Sequence, residues 1–199
     1  MRHSQNQGFR ARSAFKLLQI LETYPELIRA IRKIDSKIVD LGAAPGSWCQ
    51  VLTKFTSPTT KIVAIDLLPM EPIEHVKTVV LDFSSEYALK IIAEKFETDF
   101  KKINLNLVTS DLCTNLSGNS CIDNLKNMEL WELVLNFSDA SISPNGHLVM
   151  KYFESKESVK FRKVLEKCFE RVVAFKPAAS RSESSEKYFI CLNKKSPII

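Results

Sequence analysis

The alternation of apolar and polar residues along the chain predicts strands and helices in turn. Seven short apolar runs predict buried or half-buried strands, at 37–41, 61–66, 78–81, 105–111, 147–151, 171–175 and 186–193. Five segments with helical spacing of apolar residues predict helices, at 13–21, 48–55, 86–100, about 120–142 and 155–169. The last of these helices is expected to bury one face, which carries Phe161, Val164, Leu165, Cys168 and Phe169.

This order of elements predicts an α/β fold with a mostly parallel sheet and helices on both faces. Only the hydroxyl-rich loop 176–185 separates the last two strands, so we expect those strands to be antiparallel. A polar turn is expected at 144–146, before the fifth strand. With no internal repeat or linker, residues 1–199 are expected to form a single domain, with a short basic arm at 1–12.

The stretch 38–48 joins the first strand to a helix through a turn that contains Gly42 and Pro45-Gly46. Backbone N–H groups at the helix start are free to meet a ligand, and glycines let it lie against the backbone. The spacing matches neither the dinucleotide fingerprint nor the P-loop. Asp40 disfavours a phosphate and suits an amino group, so we infer a cation-bearing nucleoside such as S-adenosylmethionine. The alternative is an ordinary tight strand–helix turn.

Four of the predicted strands end in an aspartate, namely Asp40, Asp66, Asp82 and Asp111. A single acid at such a place is usually a helix cap. Four of them at the carboxyl edge of one sheet indicate a binding crevice. There Asp66 is placed to accept hydrogen bonds from ribose hydroxyls. Asp82 is placed to accept a hydrogen bond from an adenine amino group, and Phe83 to stack on the adenine ring.

Composition and charge agree with a compact enzyme domain. The chain has 199 residues, 45% of them hydrophobic, and a formal net charge of +5, which is compatible with a polyanionic partner. Five cysteines without a C-x-x-C pair favour reduced thiols and an intracellular location, cytoplasmic or mitochondrial. The three histidines form no metal-ligand spacing, and no apolar run predicts a membrane span or signal peptide.

Six blocks of sequence, in order, resemble the FtsJ/RrmJ family of RNA ribose 2′-O-methyltransferases. They lie at 12–17, 40–48, 66–73, 110–111, 149–151 and 176–186. The resemblance runs from about Gly8 to Leu192 and implies a class I, Rossmann-like fold that binds S-adenosylmethionine. The chain departs from the family at Ser47, where a second glycine is frequent, and at 111–115, where Asp-Leu-Cys-Thr-Asn replaces Asp-Met-Ala-Pro-Asn. Many members also have a longer basic N-terminal arm.

The resemblance also implies a set of site residues. The family's catalytic tetrad falls on Lys16, Asp111, Lys151 and Glu186. Its cofactor contacts fall on Gly42, Gly46, Trp48, Asp66, Asp82 and Asp111, and we add their neighbours Asp40, Ala43, Pro45, Ser47, Leu67 and Phe83 to the predicted cofactor site.

Methyl transfer to a ribose requires both alignment of the reacting atoms and activation of the hydroxyl. A 2′-hydroxyl is a poor nucleophile, so the enzyme must align the reacting atoms and either remove the proton or stabilise the alkoxide. Lys151 can meet the hydroxyl as a base or as a cation, and Asp111 can orient it. Lys16 and Glu186 would complete the polar cluster. The structural alternative is a salt-bridge network that only pins the sheet to a helix.

Basic residues from two distant segments are predicted to bind RNA phosphates around Lys151, and they are Arg10, Arg12, Lys176 and Arg181. The expected partner is large-subunit rRNA or a ribosomal particle, methylated by a monomer. The alternatives are a tRNA anticodon loop as substrate, a non-catalytic RNA-binding domain, and a methyltransferase acting on small molecules or proteins.

Overall fold

The computed structural model describes residues 8–114, 118–181 and 183–196. The helices are α1 (Ala14–Thr23), α2 (Pro25–Ile31), α3 (Ser47–Phe55), α4 (Ala88–Phe96), α5 (Ser120–Ser141) and α6 (Lys156–Cys168), with a 3-10 turn at Phe100–Lys102. The strands are β1 (Lys37–Leu41), β2 (Lys61–Asp66), β3 (Val76–Val80), β4 (Leu105–Ser110), β5 (Ile142–Phe153), β6 (Phe169–Phe175) and β7 (Glu186–Lys194). Most of the predicted basic arm, residues 1–7, lies outside the described residues.

The seven strands form one sheet in the order β3-β2-β1-β4-β5-β7-β6. Strands β1 to β5 are parallel, whereas β7 runs antiparallel to both β5 and β6. The predicted α/β class, the mostly parallel sheet and the antiparallel end are thus confirmed. The carboxyl ends of β1 to β5 share one edge, and the strand order reverses between β1 and β4. Open α/β sheets bind ligands at such a switch point.

Both faces of the sheet are covered by apolar packing. Alternate residues of β1 enter different cores, with Ile38 on the α1–α3 face and Val39 on the α4–α6 face. Helices α1, α2 and α3 cover the first face, and α4, α5 and α6 cover the second. No described helix is long and apolar enough to cross a membrane.

Besides shifts of a few residues in element bounds, the structure differs from the predicted elements in three places. Helix α2 was not predicted; it begins at Pro25, which suits a first helical position, and it buries Leu27 and Ile31. The predicted turn at 144–146 is instead part of β5, where the pairing with β4 shifts register. The predicted helix 86–100 is split because Glu97 adopts a left-handed conformation and ends α4.

Helix α6 buries Phe161 and Leu165 as predicted, whereas Val164 is 42% exposed. Phe169 is buried, but it is the first residue of β6 rather than part of the predicted helix. The prediction for Val164 was wrong because adjacent residues of a helix are ~100° apart, which places Val164 at the margin of the face that Leu165 buries.

We expect Leu165→Ala to lower the free energy of unfolding by about 2–5 kcal/mol, because it leaves a cavity in a fully buried site. Val164→Ala is the matched control on the same helix and should cost less than about 1 kcal/mol. Urea denaturation of both variants measures the difference. Equal losses would contradict the orientation of α6.

Candidate active site

The loop from β1 to α3 forms the centre of the site. Its two glycines have left-handed backbones, with φ of 71° at Gly42 and 103° at Gly46, a region that L side chains rarely adopt. The N–H groups of Gly42 and Ala43 donate to the carbonyl oxygen of Ile65 at 2.9 and 3.1 Å. The loop is therefore tied to the end of β2.

The space that a side chain would need at each of these glycines is occupied by other side chains. A Cβ on Gly42 would overlap the side chain of Leu112. A Cβ on Gly46 would lie 2.6 Å from Cδ1 of Ile73 and 3.0 Å from Cε of Met70. Glycine is required here for backbone conformation and for close packing of the protein on itself.

A cavity of about 330 Å³ opens at the carboxyl edge of β1, β2, β3 and β4. We call it the nucleoside cavity. Its lining includes five residues that were predicted to bind the cofactor, namely Gly42, Asp66, Leu67, Asp82 and Phe83. Leu112, Leu130 and Leu133 line it as well. The sequence analysis missed these leucines because nothing local in a loop or a long helix indicates which side chains meet a distant strand.

Two carboxylates in this cavity are fixed by hydrogen bonds. Asp66 accepts the backbone N–H of Ala44 on Oδ2 and that of Leu68 on Oδ1, both at 2.9 Å. Asp82 accepts the hydroxyl and the backbone N–H of Ser84 on Oδ1, at 2.7 and 2.9 Å. These bonds lower the pKa of Asp82, with the hydroxyl making the larger contribution. Both acids are thus held as acceptors beside an apolar cavity.

Asp40 lies below the cavity rather than in its lining. Its side chain is 1% exposed and accepts hydrogen bonds from Thr109 Oγ1 at 2.7 Å and from Cys49 Sγ at 3.2 Å. Burial raises the pKa of Asp40 to about 7, despite those two hydrogen bonds. The structure therefore does not bring the Asp40 carboxyl to a ligand's amino group.

Ser47 and Trp48 are also buried, at 3% and 2% exposed. The hydroxyls of Ser47 and Ser13 share a hydrogen bond of 2.7 Å, and Trp48 Nε1 donates to the carbonyl oxygen of Ser13 at 3.0 Å. These bonds fasten the start of α3 to the segment that leads into α1. Ser47 and Trp48 are thus placed to position the loop rather than to line the cavity.

The predicted tetrad is assembled as two ion pairs. Lys151 Nζ lies 3.1 Å from Asp111 Oδ1 and donates to the Asp111 carbonyl oxygen at 2.5 Å. Lys16 Nζ lies 2.5 Å from Glu186 Oε1. The four side chains are between 9% and 19% exposed. Low exposure strengthens their electrostatic interactions relative to those of surface pairs.

Tyr188 connects the two pairs. It is fully buried, and its hydroxyl donates to Asp111 Oδ1 at 2.7 Å. Burial, followed by the charges of Asp111 and Glu186, raises the pKa of Tyr188, so the phenol stays protonated. Strand alternation placed Tyr188 on the face of Glu186, but its bond to Asp111 depends on the pairing of β7 with β5 and could not be predicted locally.

A second cavity, of about 250 Å³, lies on the other side of the tetrad. We call it the basic cavity, and it is lined by Arg12, Lys16, Ala179, Arg181, Ser184 and Glu186. Arg12 donates to the carbonyl oxygen of Ala179 at 3.1 Å, and Lys176 donates to that of Ser184 at 2.9 Å. The expected grouping of Arg12, Lys176 and Arg181 near the tetrad is thus present.

Arg10 differs from the other predicted RNA contacts. Its guanidinium donates to the carbonyl oxygens of Pro45, Glu71 and Pro72, at 2.9, 2.7 and 2.9 Å. It thereby joins the loops after β1 and β2, at the side of a wide cavity of about 750 Å³ that Pro45 and Met70 also line. Its donors hold protein loops, so the geometry favours a bracing role over a phosphate contact.

Comparisons with known proteins agree with this geometry. The sequence profile described as FtsJ-like methyltransferase matches residues 9–194. The chain belongs to this family. A protein named ribosomal RNA large subunit methyltransferase E from Francisella tularensis is 37% identical over 183 residues, which cover 92% of this chain and 84% of that protein. The protein of the same name from Chromobacterium violaceum is 37% identical over 187 residues, which cover 94% of this chain and 87% of that protein.

Solved structures give the same result. A crystal structure described as a ribosomal RNA methyltransferase from Plasmodium falciparum has a TM-score of 0.75 and 27% identity, and covers 94% of this chain and 98% of that one. The crystal structure of human methyltransferase-like protein 13, in complex with SAH, has a TM-score of 0.58 and 13% identity. It covers 90% of this chain and 83% of that one. That likeness shows the fold alone. The sequence-based predictions of family, fold and methyltransferase class are confirmed.

One departure from the family pattern has a visible structural counterpart. Thr114 stands where the FtsJ family frequently has proline, and its hydroxyl donates to Asn127 Oδ1 at 2.8 Å. This bond fastens the loop after β4 to α5 and offers an alternative to the stiffness of a proline ring. Asn115, which completes the motif, lies outside the described residues.

Asp40→Asn should change how stability depends on pH. Because the pKa of Asp40 rises from 3.8 to about 7 on folding, the folded chain retains a proton that the unfolded chain releases. That contribution is complete below about pH 4 and is lost as pH rises through about 7. Relative to wild type, the asparagine variant should therefore gain about 3 kcal/mol of stability between about pH 5 and pH 8.

Urea denaturation at a series of pH values measures this change. Parallel pH profiles for the two proteins would contradict a buried, protonated Asp40.

Proposed function

We propose that this chain transfers a methyl group from S-adenosylmethionine to a ribose 2′-hydroxyl of large-subunit rRNA. The observation that carries the proposal is the tetrad, Lys16, Asp111, Lys151 and Glu186, which is assembled as two ion pairs. Lys16 and Glu186 line the basic cavity, and Asp111 directly precedes Leu112, which lines the nucleoside cavity. Methyl transfer to RNA needs a nucleoside-like cofactor on one side and a polyanion on the other. The choice of rRNA rests on the names of the bacterial relatives, which are ribosomal RNA large subunit methyltransferases.

The nucleoside cavity fits the cofactor. Asp66 and Asp82 would accept hydrogen bonds from sugar and base, and Phe83 and the leucines would cover the purine. Asp111, at the end of β4, would take the amino end of the cofactor. When bound, S-adenosylmethionine supplies an electrophilic methyl group.

The chain's own task is to activate and position the 2′-oxygen. Lys151 is anchored through both the carbonyl and the carboxylate of Asp111, so its amine is held in one place. It would either accept the hydroxyl proton or stabilise the developing oxyanion. Lys16, held by Glu186, would orient the ribose from the side of the basic cavity.

Other functions receive less support. A non-catalytic RNA-binding domain does not require all four tetrad side chains to be present and paired, as they are here. The relatives' names favour ribosomal RNA over tRNA as the substrate. Because one chain lines both cavities, we propose a monomer, and free thiols among the described cysteines agree with an intracellular enzyme. Mapping ribose methylation in total RNA with and without this protein tests the reaction and the substrate together.

Lys151→Ala should lower the rate of methyl transfer by a hundredfold or more, on the order expected for losing an acid–base or oxyanion contact. Affinity for the cofactor should stay near that of wild type. Lys187→Ala is the matched control, because Lys187 is on the neighbouring strand but pairs with Glu154. Single-turnover assays and calorimetric titration measure both quantities, and normal turnover in the Lys151 variant would exclude the tetrad assignment.

Asp82→Asn should weaken binding of S-adenosylmethionine by about tenfold, because a charged acceptor is lost from the nucleoside cavity. Asp99→Asn is the control. Asp99 likewise accepts a backbone N–H two residues on, from Lys101, but it lies outside the cavity. Calorimetric titration should show wild-type affinity for that variant. Equal affinities of the two variants would remove Asp82 from the cofactor site.

A further inference from the structure

The outer face of α6 carries a row of four lysines. Lys156, Lys160, Lys163 and Lys167 are all exposed, and at about 100° per residue they fall within an arc of about 60°. We call these four residues the lysine stripe. It lies opposite the buried side of the helix, which packs Phe161 and Leu165 into the core.

The ammonium groups of the stripe form no polar contact within the described part of the chain, neither an ion pair nor a hydrogen bond. Glu166 on the flank of α6 is already paired with Arg162 at 2.9 Å. Lysines at spacings of three and four residues repel one another, which weakens a helix by about 0.2–0.5 kcal/mol per pair. The arrangement therefore costs stability.

The stripe begins near the sheet edge that carries the tetrad, but α6 covers the opposite face of the sheet from α1. Strand β5 carries Lys151 and ends at Phe153, which pairs with Glu186 of β7. The capping residue of α6, Ser155, follows two residues later. From Lys156 to Lys167 the helix rises about 16 Å. A structured RNA that reaches both the basic cavity and the stripe therefore has to pass over the ends of β5 and β7.

The basic cavity by itself offers few cations for a large RNA. Arg10 is bound to three carbonyl oxygens, and Arg12 and Lys176 each donate to one. Phosphate contacts supply most of the affinity for nucleic acid, and each needs a cation. The four lysines of the stripe can supply up to four additional phosphate contacts.

We propose that the lysine stripe is a second RNA-binding surface, which holds phosphates of a structured RNA whose target ribose lies at the tetrad. This inference rests on the proposed function. Contacts of this kind carry position rather than sequence information. A membrane surface does not fit, because the apolar face of α6 is packed in the core and has nothing to insert.

The test replaces all four lysines of the stripe with glutamine, whose helix propensity is close to that of lysine. The control replaces four other exposed lysines, namely Lys90, Lys95, Lys101 and Lys102. These lie on and after α4, which packs against β2, whereas α6 packs against β6 and β7 at the far end of the sheet. Both variants lose the same charge, so a general effect of net charge is matched.

Binding and methylation of a large-subunit rRNA transcript are then measured for wild type and both variants. The stripe variant should bind RNA on the order of tenfold more weakly, with a higher KM and a kcat within about twofold of wild type. The plot of log affinity against log salt concentration should become less steep, with the magnitude of its slope smaller by about three. The control should change little, and the melting temperature of the stripe variant should stay equal or rise because like charges are removed.

Equal RNA affinities and salt slopes in the two variants would overturn the proposal. Loss of binding to poly-glutamate by the stripe variant alone, with RNA binding retained, would also overturn it and indicate an acidic protein partner. Failure of the wild-type protein to methylate RNA would contradict the proposed function instead. Direct binding measurements keep these two failures distinguishable.

Discussion

The antiparallel insertion of β7 between β5 and β6 is the constraint on which the candidate site depends. It pairs Tyr188 with Lys151 and Phe153 with Glu186. Directly paired residues share a face of the sheet, so Lys151, Tyr188 and Glu186 all lie on the face covered by α1. Helix α1 then supplies Lys16. A parallel β7 or a shift of one residue would separate Glu186 from Lys16 and Tyr188 from Asp111.

Charged groups this close to the core must be paired, because an isolated buried charge is strongly unfavourable. The site satisfies this condition by alternation of sign: Lys16 with Glu186, Lys151 with Asp111, and a neutral Tyr188 between them. Asp40 has no cationic partner among the residues that the structure describes, and burial raises its pKa. Asp40 thus differs from Asp111 and Glu186 in its surroundings, because those two carboxylates each have a lysine partner.

The loop after β1 is fixed both by its backbone conformation and by contacts with neighbouring segments. Its glycines accept left-handed conformations, and the space beside them is taken by Leu112 and by Ile73 with Met70. Arg10 and Asp66 then tie the loop to the segment after β2. The nucleoside cavity is therefore bounded by loops that brace each other, which favours a site formed before any ligand arrives.

Local pattern determined the strands, most helices, the antiparallel end and, through motifs that resemble the FtsJ family, the residues of the tetrad. Apolar periodicity and glycine turns are properties of neighbouring residues, so they can be read without a structure. Tertiary structure alone decided that Arg10 braces loops, that Asp40 and Trp48 are buried, and that Leu130 and Leu133 line the nucleoside cavity. It also decided that Lys16 pairs with Glu186, which is 170 positions away. Spacing sets the face on which a side chain lies, but only the order and register of the strands set what it meets.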